Sequence, residues 1–220
     1  MLGVTEKFFN FTDRIHLAKT VELSEAALVV DAEAKRLCAG LSEEQLSWCP
    51  RPGRWSIVQN LAHLRTTTEV FLPAVDSALE ASRIMGLRGE GPFVLGPFGH
   101  LVVWRMDARP IIKMQAPRIL RPRLLSSPAL ELEHFLISQV AFRQRIAEAD
   151  GLDLTARRFP SPLASYFRVN LLEFFSAFNA HSRRHLWQAD NVRRIMLSSP
   201  QRNQEKPASQ GGYRRRAFPE

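Results

Sequence analysis

Cysteine is scarce in this chain: two residues in 220, Cys38 and Cys49, at a spacing that fits neither a CxxC redox pair nor a zinc knuckle. A disulfide scaffold is excluded, and both are expected as reduced thiols in a reducing compartment. No run approaches about 18 consecutive apolar residues, so no membrane span is expected. Residues 1–12 mix acidic, basic and aromatic side chains without the charged-then-apolar order of a signal peptide, and the cytoplasm is the expected location. Apolar–polar alternation never lasts beyond a few residues, and no internal repeat is visible, which argues against a β-rich fold or a solenoid. Several catalytic signatures are missing too. There is no GxSxG elbow, and the run Gly86 to Gly91 lacks the Lys-Ser/Thr of a phosphate loop and leads straight into Pro92.

What is present is ordinary for a globular protein, with 45% hydrophobic and 24% charged residues. One domain is expected over residues 1–197, followed by a polar tail, 198–220, expected to be disordered. The formal charge of +8 is unevenly spread. Between Arg105 and Arg123 six basic residues (Arg105, Arg109, Lys113, Arg118, Arg121, Arg123) face one acid, Asp107, and the tail adds Arg202, Lys206 and Arg214 to Arg216 against Glu205 and Glu220. The remainder is neutral. The excess therefore belongs to one connection and one tail, which reads as solvated surface and not as a phosphate-binding patch.

Helical periodicity appears four times. Val21, Leu23, Ala27, Leu28, Val30, Ala34 and Leu37 predict a first helix over 19–38, ending before Gly40. Ser56 and Gln59 have the form of a capping box and open a second, with the stripe Ile57, Leu61, Leu64, Phe71, Leu72, Val75 and Leu79; Pro73 inside it is expected to kink or split the helix. Residues 87–126, rich in proline and glycine, exclude a long helix and are expected as a lid-like excursion over one end of the bundle. Ser127 and Pro128 read as N-cap and N1 of a third helix towards Gly151; a loop over 150–167 leads to a fourth helix from about Arg168 to Met196. The expected fold is all-α, a four-helix bundle with a long connection between helices two and three.

The fourth helix carries the chemistry. Its inward stripe runs Leu171, Phe174, Phe175, Phe178, then His181 and Ser182, then His185, Ala189, Val192 and Met196. Two histidines four apart lie on one helical face, with Cβ atoms about 5–6 Å apart, and can converge on one ion. A buried histidine satisfied by a hydrogen bond gives the same pattern, so the pair needs a third ligand from another helix. His63 on the flank of the second helix is the leading candidate, ahead of His16, His100 and His134. Ser182 stands where a zincin has its glutamate, so that protease chemistry is excluded.

The stretch LSEEQLSWCPRPGRWSIVQNLAHL (Leu41 to Leu64), the late AHSRRHLWQA (Ala180 to Ala189) and KMQAPRILRP (Lys113 to Pro122) resemble the DinB/YfiT-like superfamily of metalloenzymes. The resemblance implies a four-helix bundle in which the residues matching His63, His181 and His185 bind zinc or nickel. It also implies thiol chemistry, since several members are transferases or isomerases that use a low-molecular-weight thiol. The expected function is thus a metal-dependent thiol S-transferase or isomerase, with Gln188 a candidate support for the site. The alternatives are a metal-dependent hydrolase, a non-catalytic metal-binding stress protein, or a non-specific nucleic-acid binder. The expected partners are a small thiol and an electrophile, with a homodimer left open; neither a membrane nor a nucleic acid is expected.

Overall fold

A computed structural model describes residues 19–107, 115–125 and 127–198. Its helices are α1 (Thr20–Cys38), α2 (Glu43–Ser47), α3 (Ile57–Ile84), α4 (Pro97–Asp107), α5 (Pro128–Glu148) and α6 (Leu171–Ser198). A two-stranded antiparallel hairpin, β1 (Phe159–Ser161) and β2 (Ala164–Val169), precedes α6, and a 3₁₀ turn covers Arg118–Leu120. The fold is the expected all-α bundle, made of α1, α3, α5 and α6.

Helix starts follow the local chemistry. Gln59 N–H donates to Ser56 Oγ (3.2 Å) while Ser56 N–H donates to Gln59 Oε1 (2.9 Å), so the predicted capping box forms. The same Ser-x-x-Gln signature at Ser42 and Gln45 starts α2, a short helix that the sequence analysis did not predict. Ser127 Oγ accepts from Leu130 N–H at 3.3 Å with Pro128 at N1, as predicted. Gly40, Gly86 and Gly151 stand just past α1, α3 and α5 with positive φ, a conformation that glycine adopts without a Cβ penalty. Pro73 does not split α3, which is continuous from Ile57 to Ile84.

Long-range side-chain contacts set the helix directions. Asp31–Arg143 and Thr20–Asp150 make α1 antiparallel to α5, and Asn179 Nδ2 donating to Leu23 O with Arg193 donating to Leu37 O makes α1 parallel to α6. Phe71–Phe174 and His63–His181 make α3 antiparallel to α6. Arg65–Glu131, Asp76–Arg145 and Arg83–Glu148 make α3 and α5 parallel neighbours. Parallel neighbours need a connection that returns the whole length of α3, about 42 Å for its 28 residues at 1.5 Å each.

The described residues between 85 and 127 follow that return path and do not form the expected lid over one end. Arg88 bridges to Leu152 at the far end, Leu95 and Val103 enter the lower core, and α4 packs along α6. Gly99 packs closely there: a Cβ would stand 2.9 Å from Leu95 Cδ2 and 3.0 Å from Glu173 Cγ, so those side chains would have to shift. Leu120 then arrives beside α3. The hairpin likewise replaces the expected 150–167 loop: Phe159 and Val169 bury inward while Tyr166 faces solvent, and α6 starts at Leu171, later than predicted.

Two apolar clusters fill the bundle, one around Phe142, Phe174, Phe175 and Phe178, the other around Leu37, Ile57, Leu61, Leu64, Phe135 and Leu186. Val21 and Leu28, part of the apolar periodicity that predicts α1, are exposed. Replacing Ser56, buried at the start of α3, with alanine should lower unfolding stability by about 1 kcal/mol through the lost cap, read as a reduced urea midpoint with unchanged slope.

Candidate metal centre

Because α3 and α6 are antiparallel neighbours, His63 on one meets His181 and His185 on the other. The three offer ring nitrogens that all lie within 4.8 Å of one another, and among the described residues this group contains no carboxylate and no thiol. His63 Nε2 is 3.1 Å from His181 Nε2. The ring centres of His63 and His185 are 4.4 Å apart, and those of His181 and His185 are 4.5 Å apart. Trp55 walls one side, 4.9 Å from the His63 ring and 5.7 Å from that of His185. His63 and His185 are buried, and His181 is the most exposed of the three.

Second partners decide which nitrogen each ring offers. His63 Nδ1 lies 2.6 Å from the Leu120 carbonyl oxygen, which can only accept, so Nδ1 carries the proton and Nε2 keeps its lone pair. Asn60 Nδ2 donates to Ser56 O at 2.8 Å, which turns Asn60 Oδ1 towards His185 Nδ1 at 3.1 Å. His185 therefore also carries its proton on Nδ1 and presents Nε2. Without an ion, the short His63–His181 contact is a hydrogen bond donated by His181 Nε2–H to the His63 lone pair, and that proton would have to move to His181 Nδ1 for all three inward nitrogens to serve as ligands.

The donor set fits a divalent ion. Nitrogen ligands at about 2.0–2.1 Å in a tetrahedral set stand about 3.3 Å apart, close to the observed 3.1 Å, and neutral imidazoles suit zinc or nickel. The orienting hydrogen bonds from Leu120 and Asn60 are of the kind that fix ligand tautomers around metals.

The other candidates separate. His134 is exposed on α5, His100 lies on α4, and His16 falls outside the described residues. Gln188 is half-buried and hydrogen-bonds none of the three histidines. Arg183 and Arg184 do turn away from the triad: Arg183 pairs with Asp107 at 3.2 Å, and Arg184 donates to the Arg105 carbonyl at 3.2 Å, both at the end of α4. Asn60 and Leu120 were missed from sequence. A buried asparagine one turn before His63 was a usable signal; a main-chain carbonyl leaves none.

The fold and this geometry can be set beside known proteins. A family profile for the DinB superfamily matches residues 30–189. The chain belongs to the DinB superfamily. No curated protein matches it. Among solved structures it is similar to YfiT from Bacillus subtilis, a four-helix bundle of unusual topology, with a TM-score of 0.53 and 15% identity over 82% of this chain and 89% of that one. At that identity the likeness establishes the shared fold.

Burial keeps the imidazoles uncharged. His181 is pushed down to about 3, first by desolvation and then by His63 and Arg184. His185 is lowered for the same first reason, and His63 is lowered by desolvation against an opposing hydrogen bond to Leu120. Below the ordinary value of 6.5 the unfolded chain takes up protons that the folded chain refuses. The contribution to stability is thus complete above that value and is lost as pH falls through the window towards the folded value. Urea midpoints of metal-free protein should drop between about pH 7 and about pH 5, and His181→Ala should make that drop shallower.

Proposed function

We propose that this DinB-superfamily protein is a metal-dependent enzyme in which His63, His181 and His185 hold one divalent ion, zinc or nickel, and a low-molecular-weight thiol is activated for transfer to an electrophile. The observation that carries the reading is the convergence of three neutral imidazoles, two of which, His63 and His185, have their other nitrogen already committed to Leu120 and Asn60. Three protein ligands leave a position for water or substrate, the arrangement of catalytic and not of closed structural sites. A bound cation supplies Lewis acidity, lowering the pKa of a thiol or water that shares the site.

The chain's own residues favour the thiol. Among the described residues the ligand group is made of histidines alone. A thiol, with an ordinary pKa of about 8.5 against 15.7 for water, needs little further help to ionise. Leu120 and Asn60 hold the rings in register, and Trp55 excludes water from one side and offers an apolar face to a bound electrophile. Hydrolysis is the second reading, favoured by YfiT, which is described as a probable metal-dependent hydrolase. A nucleic-acid role has weaker support, namely the exposure of Arg118, Arg121 and Arg123. No described helix is long and apolar enough to cross a membrane, and two free cysteines suit a reducing cytoplasm.

Metal analysis of protein purified without a histidine tag should return about one ion per chain, and alanine at any one of His63, His181 or His185 should weaken affinity by about 100-fold or more, with His134→Ala unchanged. Metal content that persists in the triple alanine variant would overturn the ligand assignment. For the reaction, loaded protein should accelerate addition of glutathione, bacillithiol or mycothiol to electrophiles; acceleration only of ester or amide cleavage would favour the hydrolase.

A further inference from the structure

His63 owes its tautomer to a main-chain carbonyl, and that carbonyl sits on a segment with little regular structure of its own: one 3₁₀ turn flanked by Pro117 and Pro122. Something outside the segment must keep Leu120 O in place. Five residues further along, the chain is gripped by two buried charged side chains. Arg65, two residues beyond His63 on α3, donates through Nε to Glu131 Oε1 at 2.6 Å and through a terminal nitrogen to the Arg123 carbonyl at 2.5 Å. Glu131 on α5, only 1% exposed, accepts the Leu125 N–H on Oε2 at 3.2 Å. One ion pair thus joins α3, α5 and both sides of the main chain at 123–125.

A buried ion pair is weak evidence for a role in stability, because desolvation offsets much of the Coulomb attraction and apolar residues of similar size often do as well. What apolar residues cannot do is hold a carbonyl and an amide of a passing loop. We propose that Arg65 and Glu131 are positioning residues for the metal ligand His63, acting through the segment they clamp: they keep the Leu120 carbonyl against His63 Nδ1 and so keep Nε2 free as a donor. The proposal rests on His63 being a ligand, but its first consequence, the tautomer of His63, is readable without metal.

The test uses the full-length protein carrying Glu131→Gln, and separately the double variant Arg65→Met with Glu131→Met, in which apolar residues of comparable length replace the pair and preserve folding if the single variant does not fold. Long-range proton–nitrogen NMR of the metal-free protein reads the tautomer, and competition with a chelator reads zinc affinity. In a variant that keeps a cooperative unfolding transition, His63 should change from a single Nδ1–H form to a mixture of tautomers, and zinc affinity should fall about 10- to 100-fold. Glu69→Gln, which removes only the exposed outer partner of Arg65, should change neither readout. A folded variant with His63 still wholly in the Nδ1–H form and zinc affinity unchanged overturns the proposal and leaves the pair a structural contact. If the tautomer shifts but wild-type protein binds no zinc, the clamp stands and the metal reading fails.

Discussion

Two neighbouring long helices, α3 and α5, point the same way, and consecutive helices can do so only if the chain travels back between them. Much of the architecture follows from that. The return path occupies the outer face of α6 as α4, contributes Leu95 and Val103 to the core, and comes back to the start of α3 carrying Leu120. The other two links join antiparallel helices and can be short. A segment whose proline and glycine content looks like a loose cover is therefore under tight steric demand, as Gly99 against Glu173 illustrates.

The site is built where that return path ends. Burying three imidazoles is costly unless each ring nitrogen finds a partner. The protein commits two outer nitrogens, to Leu120 O and to Asn60 Oδ1, and turns the remaining faces towards one another. Desolvation and mutual proximity both disfavour the imidazolium forms, so the rings are kept as neutral donors. The positive side chains between His181 and His185, Arg183 and Arg184, make their contacts at the end of α4. A neutral, inward-facing nitrogen set is the state in which a cation meets least competition from protons.

The family and the fold agree with each other. The match to the DinB superfamily spans the three histidines, all of α3 and α6 as far as residue 189, and the likeness to YfiT extends over most of both chains. Neither names the reaction.

The sequence by itself determined the four long helices, two of their caps and the pairing of His181 with His185, because these depend on spacing along one helix, which periodicity and capping chemistry express directly. It also pointed to His63, on the flank of an apolar stripe. It did not determine α2, α4 or the hairpin, which are short and pack chiefly on the long helices. Nor did it reveal that α3 and α5 are parallel, or that Val21 and Leu28 lie outside the core, since a stripe says which residues are apolar and not which neighbour covers them. Only the tertiary structure decided the orienting partners of the histidines. Leu120 acts through its carbonyl, a group common to every residue, and it becomes specific to His63 only when the return path sets it down 2.6 Å from Nδ1.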